Sequence, residues 1–270
     1  MNASRLIFTL WLVSSVAMVQ LVAQETNADR RPIEEVKAKA EAGDPASEAE
    51  LGLRYKHGEG VAKDQVEAMK WYRKAAEQNY ALAQNSLGVC YEQGEGVQKD
   101  PVEAVKWYRK AAEQNLAPAQ FNLGVCYAQR VPMNEKENLL GVAEDPDARA
   151  LEAVKWYRKA AEQNLAPAQC NLGLCYERGE GVKSDLVEAV KWYRKAAEQN
   201  FAAAQYDLGM CYQYGKGVAE DSVEAYTWLL LAARQGDEDA KNYMTWMESK
   251  QLKPEQVAQG QKRAGEFKPR

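Results

Sequence analysis

From Asp100 to Asn115 the chain reads DPVEAVKWYRKAAEQN, with apolar residues at Ala104, Trp107, Tyr108, Ala111 and Ala112. That spacing is the stripe of an amphipathic helix, and Lys106, Arg109, Lys110 and Glu113 fall largely off it. Asp100 marks the start, since its carboxylate can accept the free N–H groups of the first turn and Glu103 is expected to reach back. Pro101 sits at the first helical position, where its missing N–H costs nothing. Asn115 marks the end, because Asn tolerates the left-handed conformation that stops a helix. A second pattern precedes this one: Ala83, Leu87, Gly88 and Tyr91 share one helical face, and the helix closes on Gly94-Glu95-Gly96-Val97.

The pair recurs along the chain. Leu-Gly stands at Leu51-Gly52, Leu87-Gly88, Leu123-Gly124, Leu172-Gly173 and Leu208-Gly209, in steps of 36, 36, 49 and 36 residues. Tyr55, Tyr91, Tyr127, Tyr176 and Tyr212 keep the same register, as do Trp71, Trp107, Trp156, Trp192 and Trp228. Acid caps open at Asp64, Asp100, Asp185 and Asp221, and Asn79, Asn115, Asn164 and Asn200 close the same helices. Gly43 and Gly236 hold that closing register at the two ends of the array. Gly-x-Gly at Gly58, Gly94, Gly179 and Gly215 follows a helix rather than a strand. It therefore reads as a C-cap with a Val plug and not as a phosphate loop.

One unit departs from this pattern: the third carries 13 extra residues. Arg130 replaces the first Gly, nine residues enter before Gly141, and four enter between Asp145 and Glu152. Arg149 stands where Asp should cap, so Asp145-Pro146 is expected to cap instead and start the helix about one turn earlier. The insertion, placed at 130–150, is expected to protrude at a surface tip.

The Leu-Gly-x-x-Tyr core and paired helices resemble the tetratricopeptide signature. The longer unit, with GxGVxxDxxEAxxWYRKAA, resembles the Sel-one-like repeat (SLR) family from Gly43 to about Gly236. The resemblance implies an all-α fold, a right-handed α-solenoid superhelix of antiparallel helix pairs that acts as a protein-interaction scaffold. Five repeats then occupy 44–236, an N-terminal cap helix 31–43, and C-terminal cap helices 237–270. Short helix pairs cannot bury their own apolar faces alone, so each copy completes its neighbour's core.

The N-terminus adds an address. Residues 1–23 hold Arg5, no acid, and an apolar run from Leu6 to Ala23 broken by Thr9, Ser14, Ser15 and Gln20. This is the layout of a secretory signal peptide, cleavable after Ala23 or Ala17, with 24–30 as a linker. The other reading is an uncleaved anchor, and only that would bring the chain to a membrane. The expected location is outside the cytoplasm, periplasmic or extracellular. The net charge of -4 and the interleaving of Lys and Arg with Glu argue against nucleic acid as a partner.

Catalytic chemistry finds little support. The one histidine, His57, ends a helix, where the dipole favours it. No metal site, cofactor or catalytic residue is expected. Cys90, Cys126, Cys175 and Cys211 share one register, and Cys170 lies elsewhere. Equivalent positions on stacked helix pairs lie roughly 9–10 Å apart, beyond the roughly 7 Å between alpha carbons that a disulfide spans. The cysteine-rich branch of the family instead links the two helices of one unit. Here Ala111, Ala112 and their copies leave the second helix without thiols, so these cysteines read as buried packing residues.

The binding surface follows from helical angles. At roughly 100° per residue, the positions two before and two after the Leu of Leu-Gly lie opposite the pair's own core. In tetratricopeptide-type folds the first helices line the concave groove. Leu53, Asn85, Val89, Phe121, Val125, Leu174, Tyr206 and Met210 are therefore the expected partner-binding residues, with Glu92, Glu177 and Gln213 at the edge. The competing reading packs these side chains against neighbouring helices. The expectation is an exported, monomeric, non-catalytic scaffold for an unidentified protein or peptide. Rival readings are an envelope enzyme (a cell-wall or β-lactamase-like hydrolase) and a membrane-tethered structural protein.

Overall fold

The computed structural model describes residues 31–129 and 145–269. The signal segment, the linker and most of the insertion lie outside the described residues. Among the described residues there are thirteen α-helices and no strand. They fall into two compact units divided between Arg149 and Ala150.

The first unit stacks α1 (Ile33–Glu41), α2 (Pro45–His57), α3 (Gln65–Glu77), α4 (Ala81–Gln93), α5 (Pro101–Glu113) and α6 (Ala117–Ala128). The second holds most of α7 (Pro146–Glu162), then α8 (Ala166–Arg178), α9 (Leu186–Glu198), α10 (Ala202–Tyr214), α11 (Ser222–Arg234), α12 (Glu238–Lys250) and α13 (Pro254–Glu266). The broadest contacts join α2 to α3, α4 to α5, α8 to α9 and α10 to α11.

The repeated letters have specific jobs. Leu51, Leu87, Leu123, Leu172 and Leu208 are buried, each contributing about 1.5–3 kcal/mol of transfer free energy. Gly52, Gly88 and Gly173 make room for the Tyr ring of the second helix, and Gly209 makes room for Leu229. A Cβ on Gly88 would stand 2.4 Å from Tyr108, and one on Gly173 would stand 2.7 Å from Tyr193. Trp107 packs against a cluster that joins Ala68 and Tyr72 of the preceding repeat to Leu87 and Cys90 of its own.

The Gln and Asn of AAEQN are structural as well. Asn79, Asn115, Asn164 and Asn200 take φ of 63–66°, as their C-cap register predicts. Gln169 then donates to the Ala161 carbonyl (3.2 Å) and to Asn164 Oδ1 (3.1 Å), while its own Oε1 accepts from Gln199 at 2.7 Å. Gln84 and Gln114 in the first unit, and Gln205 and Gln235 in the second, repeat the bond at 2.6 and 2.7 Å. An amide ladder, buried at Gln84, Gln169 and Gln205, thus satisfies helix-end carbonyls and ties each helix pair to the next.

Asp64, Asp100 and Asp221 each accept from two first-turn N–H groups, and Asp185 accepts from Glu188 N. Asp145 accepts from Asp147 N at 3.0 Å, so α7 starts early and runs 17 residues where α5 has 13. The glutamates of the expected capping box behave otherwise. The cap's own N–H is already taken, as Asp64 N donates to Tyr55 O and Asp100 N to Tyr91 O. Glu67 and Glu188 therefore turn forward to Lys70 and Lys191, at 2.8 and 2.9 Å. The second glycine of each Gly-x-Gly also does more than cap. At Gly96 φ is +70°, and a Cβ there would stand 2.2 Å from Gln65 O, so only Gly lets this turn touch the preceding unit's helix.

Candidate partner-binding surface

The expected ladder divides in two. Asn85, Val89, Phe121 and Val125 are buried, whereas Leu53, Leu174, Tyr206 and Met210 keep part of their surface. The reason lies in α4 and α6, where Ala83 to Cys90 and Pro118 to Tyr127 are buried on every side. Asn122 donates to Asn85 Oδ1 at 3.0 Å, a buried amide pair between α4 and α6. Placing these four on an open groove is therefore corrected: a side chain buried in this way meets a partner only if the helices move. The sequence does carry the signal, since α6 has no charged residue and α4 only Glu92. A helix without a polar face is a helix covered all round.

The edge residues are engaged in the packing. Glu92 accepts from Tyr108 Oη and Glu177 from Tyr193 Oη, each at 2.8 Å, and Lys216 reaches Glu177 at 2.9 Å. Burial pushes the Glu92 carboxyl above its ordinary range, and the Tyr108 hydrogen bond partly offsets this. Gln213 is buried.

In the second unit the accessible part of the ladder grows. One period after Met210 stands Trp246 on α12, 47% exposed, a residue that sequence reasoning left inside a capping helix. Tyr214, 56% exposed, shares a 2.8 Å hydroxyl–hydroxyl bond with Tyr243. Their rings meet edge-on at 6.5 Å, and Tyr243 lies 5.3 Å from Trp246. Burial first, and the Tyr214 hydroxyl second, hold the Tyr243 phenol well above its usual range. Tyr206 and Met210 pack at the base, against the cluster of Tyr226, Leu229 and Met247.

The cysteines take no part in this surface. All five are buried and free. Burial pushes the thiols up, to about 11 at Cys90 and to about 12 at Cys175 and Cys211. His57 is exposed at the end of α2. Among the described residues no group of three or more His, Cys, Asp or Glu could hold a metal ion.

Helix pairs that complete each other's cores, with an apolar and aromatic face on the first helices, define an α-solenoid repeat protein. The Sel1 repeat profile matches residues 45–80, 81–116, 117–133, 136–165, 166–201 and 202–237, and the chain belongs to the Sel1 repeat family. The profile finds six matches where the periodicity counts five units, because 117–133 and 136–165 are halves of the interrupted third unit. The crystal structure of a Sel1 repeat protein from Oxalobacter formigenes is similar, with 35% identity and a TM-score of 0.70 over 87% of this chain and 97% of that one. A protective antigen present in uropathogenic Escherichia coli strains, displaying an SLR fold, is 31% identical with a TM-score of 0.56. That match covers 87% of this chain and 55% of the antigen's. Among proteins of curated function, none matches the sequence significantly. Sel1 repeat proteins typically serve as protein–protein interaction scaffolds.

Proposed function

We propose that the chain is an exported, non-catalytic scaffold that grips a protein or peptide partner on the first-helix face of its repeats. The supporting observation is the exposed aromatic cluster at the end of the ladder. Tyr214, Tyr243 and Trp246 leave large apolar surface in water, where a monomer gains nothing from it, beside the part-buried Tyr206 and Met210. Tyr and Trp are rigid amphipathic anchors, the residues that dominate binding hot spots. Leu174 and, in the first unit, Leu53 carry the ladder elsewhere. Export rests on the segment of residues 1–23.

The test uses exposed positions, because substituting buried Phe121 or Val125 would confound binding with folding. Proximity labelling in the native envelope identifies the partners, and the Trp246→Ala, Tyr214→Ala variant is then compared with the wild type. Loss of the labelled partner at unchanged helicity is the expected result. Retention of every partner by the folded variant rules the reading out. An enzyme would instead need unrepeated polar residues gathered in a cleft, and the insertion is the one unrepeated stretch within the repeats.

A further inference from the structure

The outer faces of α9 and α11 are the same six positions with different fates. On α11 they are Val223, Glu224, Tyr226, Thr227, Leu230 and Leu231, and α13 covers them. Gly260 lies against Tyr226 and Thr227, Arg263 pairs with Glu224 at 2.6 Å, and Phe267 meets Trp228 edge-on at 5.6 Å. Val223 is consequently only 9% exposed. On α9 the same positions are Val187, Glu188, Val190, Lys191, Arg194 and Lys195, and Val187 is 55% exposed. With Gly217 and Val218 of the following turn they line an open hollow of about 440 Å³.

The charges around this hollow are unbalanced. Its lining has three bases and one acid, in a chain whose total is -4. Glu188 neutralises Lys191 at 2.9 Å, leaving Arg194, which donates to the Tyr212 hydroxyl, and Lys195, 4.0 Å above the Trp192 ring. Both side chains line the hollow together with the apolar Val187, Val190 and Val218. Val187 adds exposed apolar surface beside these cations. The feature is repeated in the first unit on α3, where Val66 is 53% exposed. There Lys70 pairs with Glu67 at 2.8 Å, Lys74 sits 3.9 Å over Trp71, and Arg73 donates to Tyr91 at 2.7 Å.

We infer that the α9 hollow is a second docking site, for an acidic peptide segment of a partner protein that inserts an aliphatic side chain between the cations. The side chain meets Val187, Val190 and Val218, and flanking carboxylates meet Arg194 and Lys195. A hollow suits a side chain better than the flat headgroup plane of an anionic bilayer. Such a bilayer also feels the chain's overall negative charge, whereas a short segment feels mainly the charges within a Debye length.

The probe is a fluorescein-labelled peptide of repeating Glu-Glu-Leu, read by anisotropy against the full chain, with phosphatidylglycerol vesicles in parallel. Affinity is expected to fall at least about tenfold between roughly 0.05 and 0.5 M salt. The Val187→Asp, Lys191→Glu variant alters two side chains that are more than half exposed, so its fold is retained. It should lose about tenfold in affinity, while Trp246→Ala, Tyr214→Ala keeps wild-type affinity and so separates this site from the aromatic one. Equal binding by the Val187 variant overturns the inference. So does failure of the wild type to bind the peptide at low salt, or binding to vesicles in place of peptide.

Discussion

Gly88→Ala tests the central packing rule, that the Gly of Leu-Gly exists to admit the second helix's ring. The new Cβ would stand 2.4 and 2.5 Å from two ring carbons of Tyr108 and 3.1 Å from a third. Ordinary carbon contacts lie at roughly 3.5–4.0 Å, so the ring must retreat by about an ångström in a fully buried site. Such overpacking typically costs about 1–3 kcal/mol. The retreat also strains the 2.8 Å bond from Tyr108 to Glu92. Against this, Ala in place of Gly in a helix contributes about 0.5–1 kcal/mol. With the strained hydrogen bond added, the net expectation is a loss of about 0.5–2.5 kcal/mol, which lowers Tm by roughly 2–4 °C per kcal/mol in a chain of this size. Circular dichroism melting measures it, with Gly265→Ala as control, since a Cβ on that helical Gly would meet nothing within 4 Å. Replacing the ring by Leu should lessen the penalty, a Cβ on Gly209 standing 2.9 Å from Leu229, so Gly88→Ala costs less in a Tyr108→Leu background than alone. A Gly88→Ala protein that melts with or above the wild type, or an equal cost in both backgrounds, refutes the reasoning.

Gln169→Ala orphans the Gln199 amide and the Ala161 carbonyl, and is expected to cost about 1–3 kcal/mol in urea titration. Thiol titration should count five free thiols in denaturant without reductant, and very slow reaction in the native state, because the thiols are buried and held protonated. Glu92 binds its proton more tightly folded than unfolded, so its contribution is most favourable at low pH. Stability should therefore fall as pH rises from the ordinary Glu range through the raised value, and Glu92→Gln should flatten that slope. Deleting residues 251–270 uncovers Trp228 and Leu231, and is expected to lower Tm and cause self-association by light scattering. Leu230→Arg with Leu231→Lys should suppress the association without restoring Tm.

Local signals were legible in the sequence because they act within a few residues. Asp145 could be assigned as the replacement cap, and Asn79 and its copies as left-handed stops, since backbone geometry alone demands them. The amide ladder was hidden for the opposite reason. Gln84 and Gln114 lie 30 residues apart at opposite ends of one repeat, and nothing in either one's neighbourhood says that the other will face it. The back-reach expected of Glu67 failed on a similar long connection, the Asp64 N–H having gone to Tyr55. Half of the proposed site was misplaced because helical angles give a direction but not what lies in that direction. Charge content supplies the missing part: α2 has Glu48, Glu50, Arg54 and Lys56 and keeps Leu53 part-exposed, whereas uncharged α6 buries Phe121 and Val125.

The fifth repeat turns the same logic into a reading of where the chain covers itself. Four copies keep a Lys, Arg, Lys triplet on the outer face of the second helix, as at Lys191, Arg194 and Lys195. The fifth has Thr227, Leu230 and Leu231 instead, and it also changes Val190, Tyr193 and Glu198 of the fourth copy to Tyr226, Leu229 and Arg234. Copying makes the template the default, so the loss of all three cations from the outer face marks a changed environment for that face. Here the change is α13, whose Gly260 and Ala264 let it approach closely. The polar outer surface that a terminal repeat must present is then supplied by α13 itself. Retained charge on α3 and α9 carries the converse meaning. Nothing in the chain's own second helices required those faces to become apolar, and Val66 and Val187 stay exposed among the charges there.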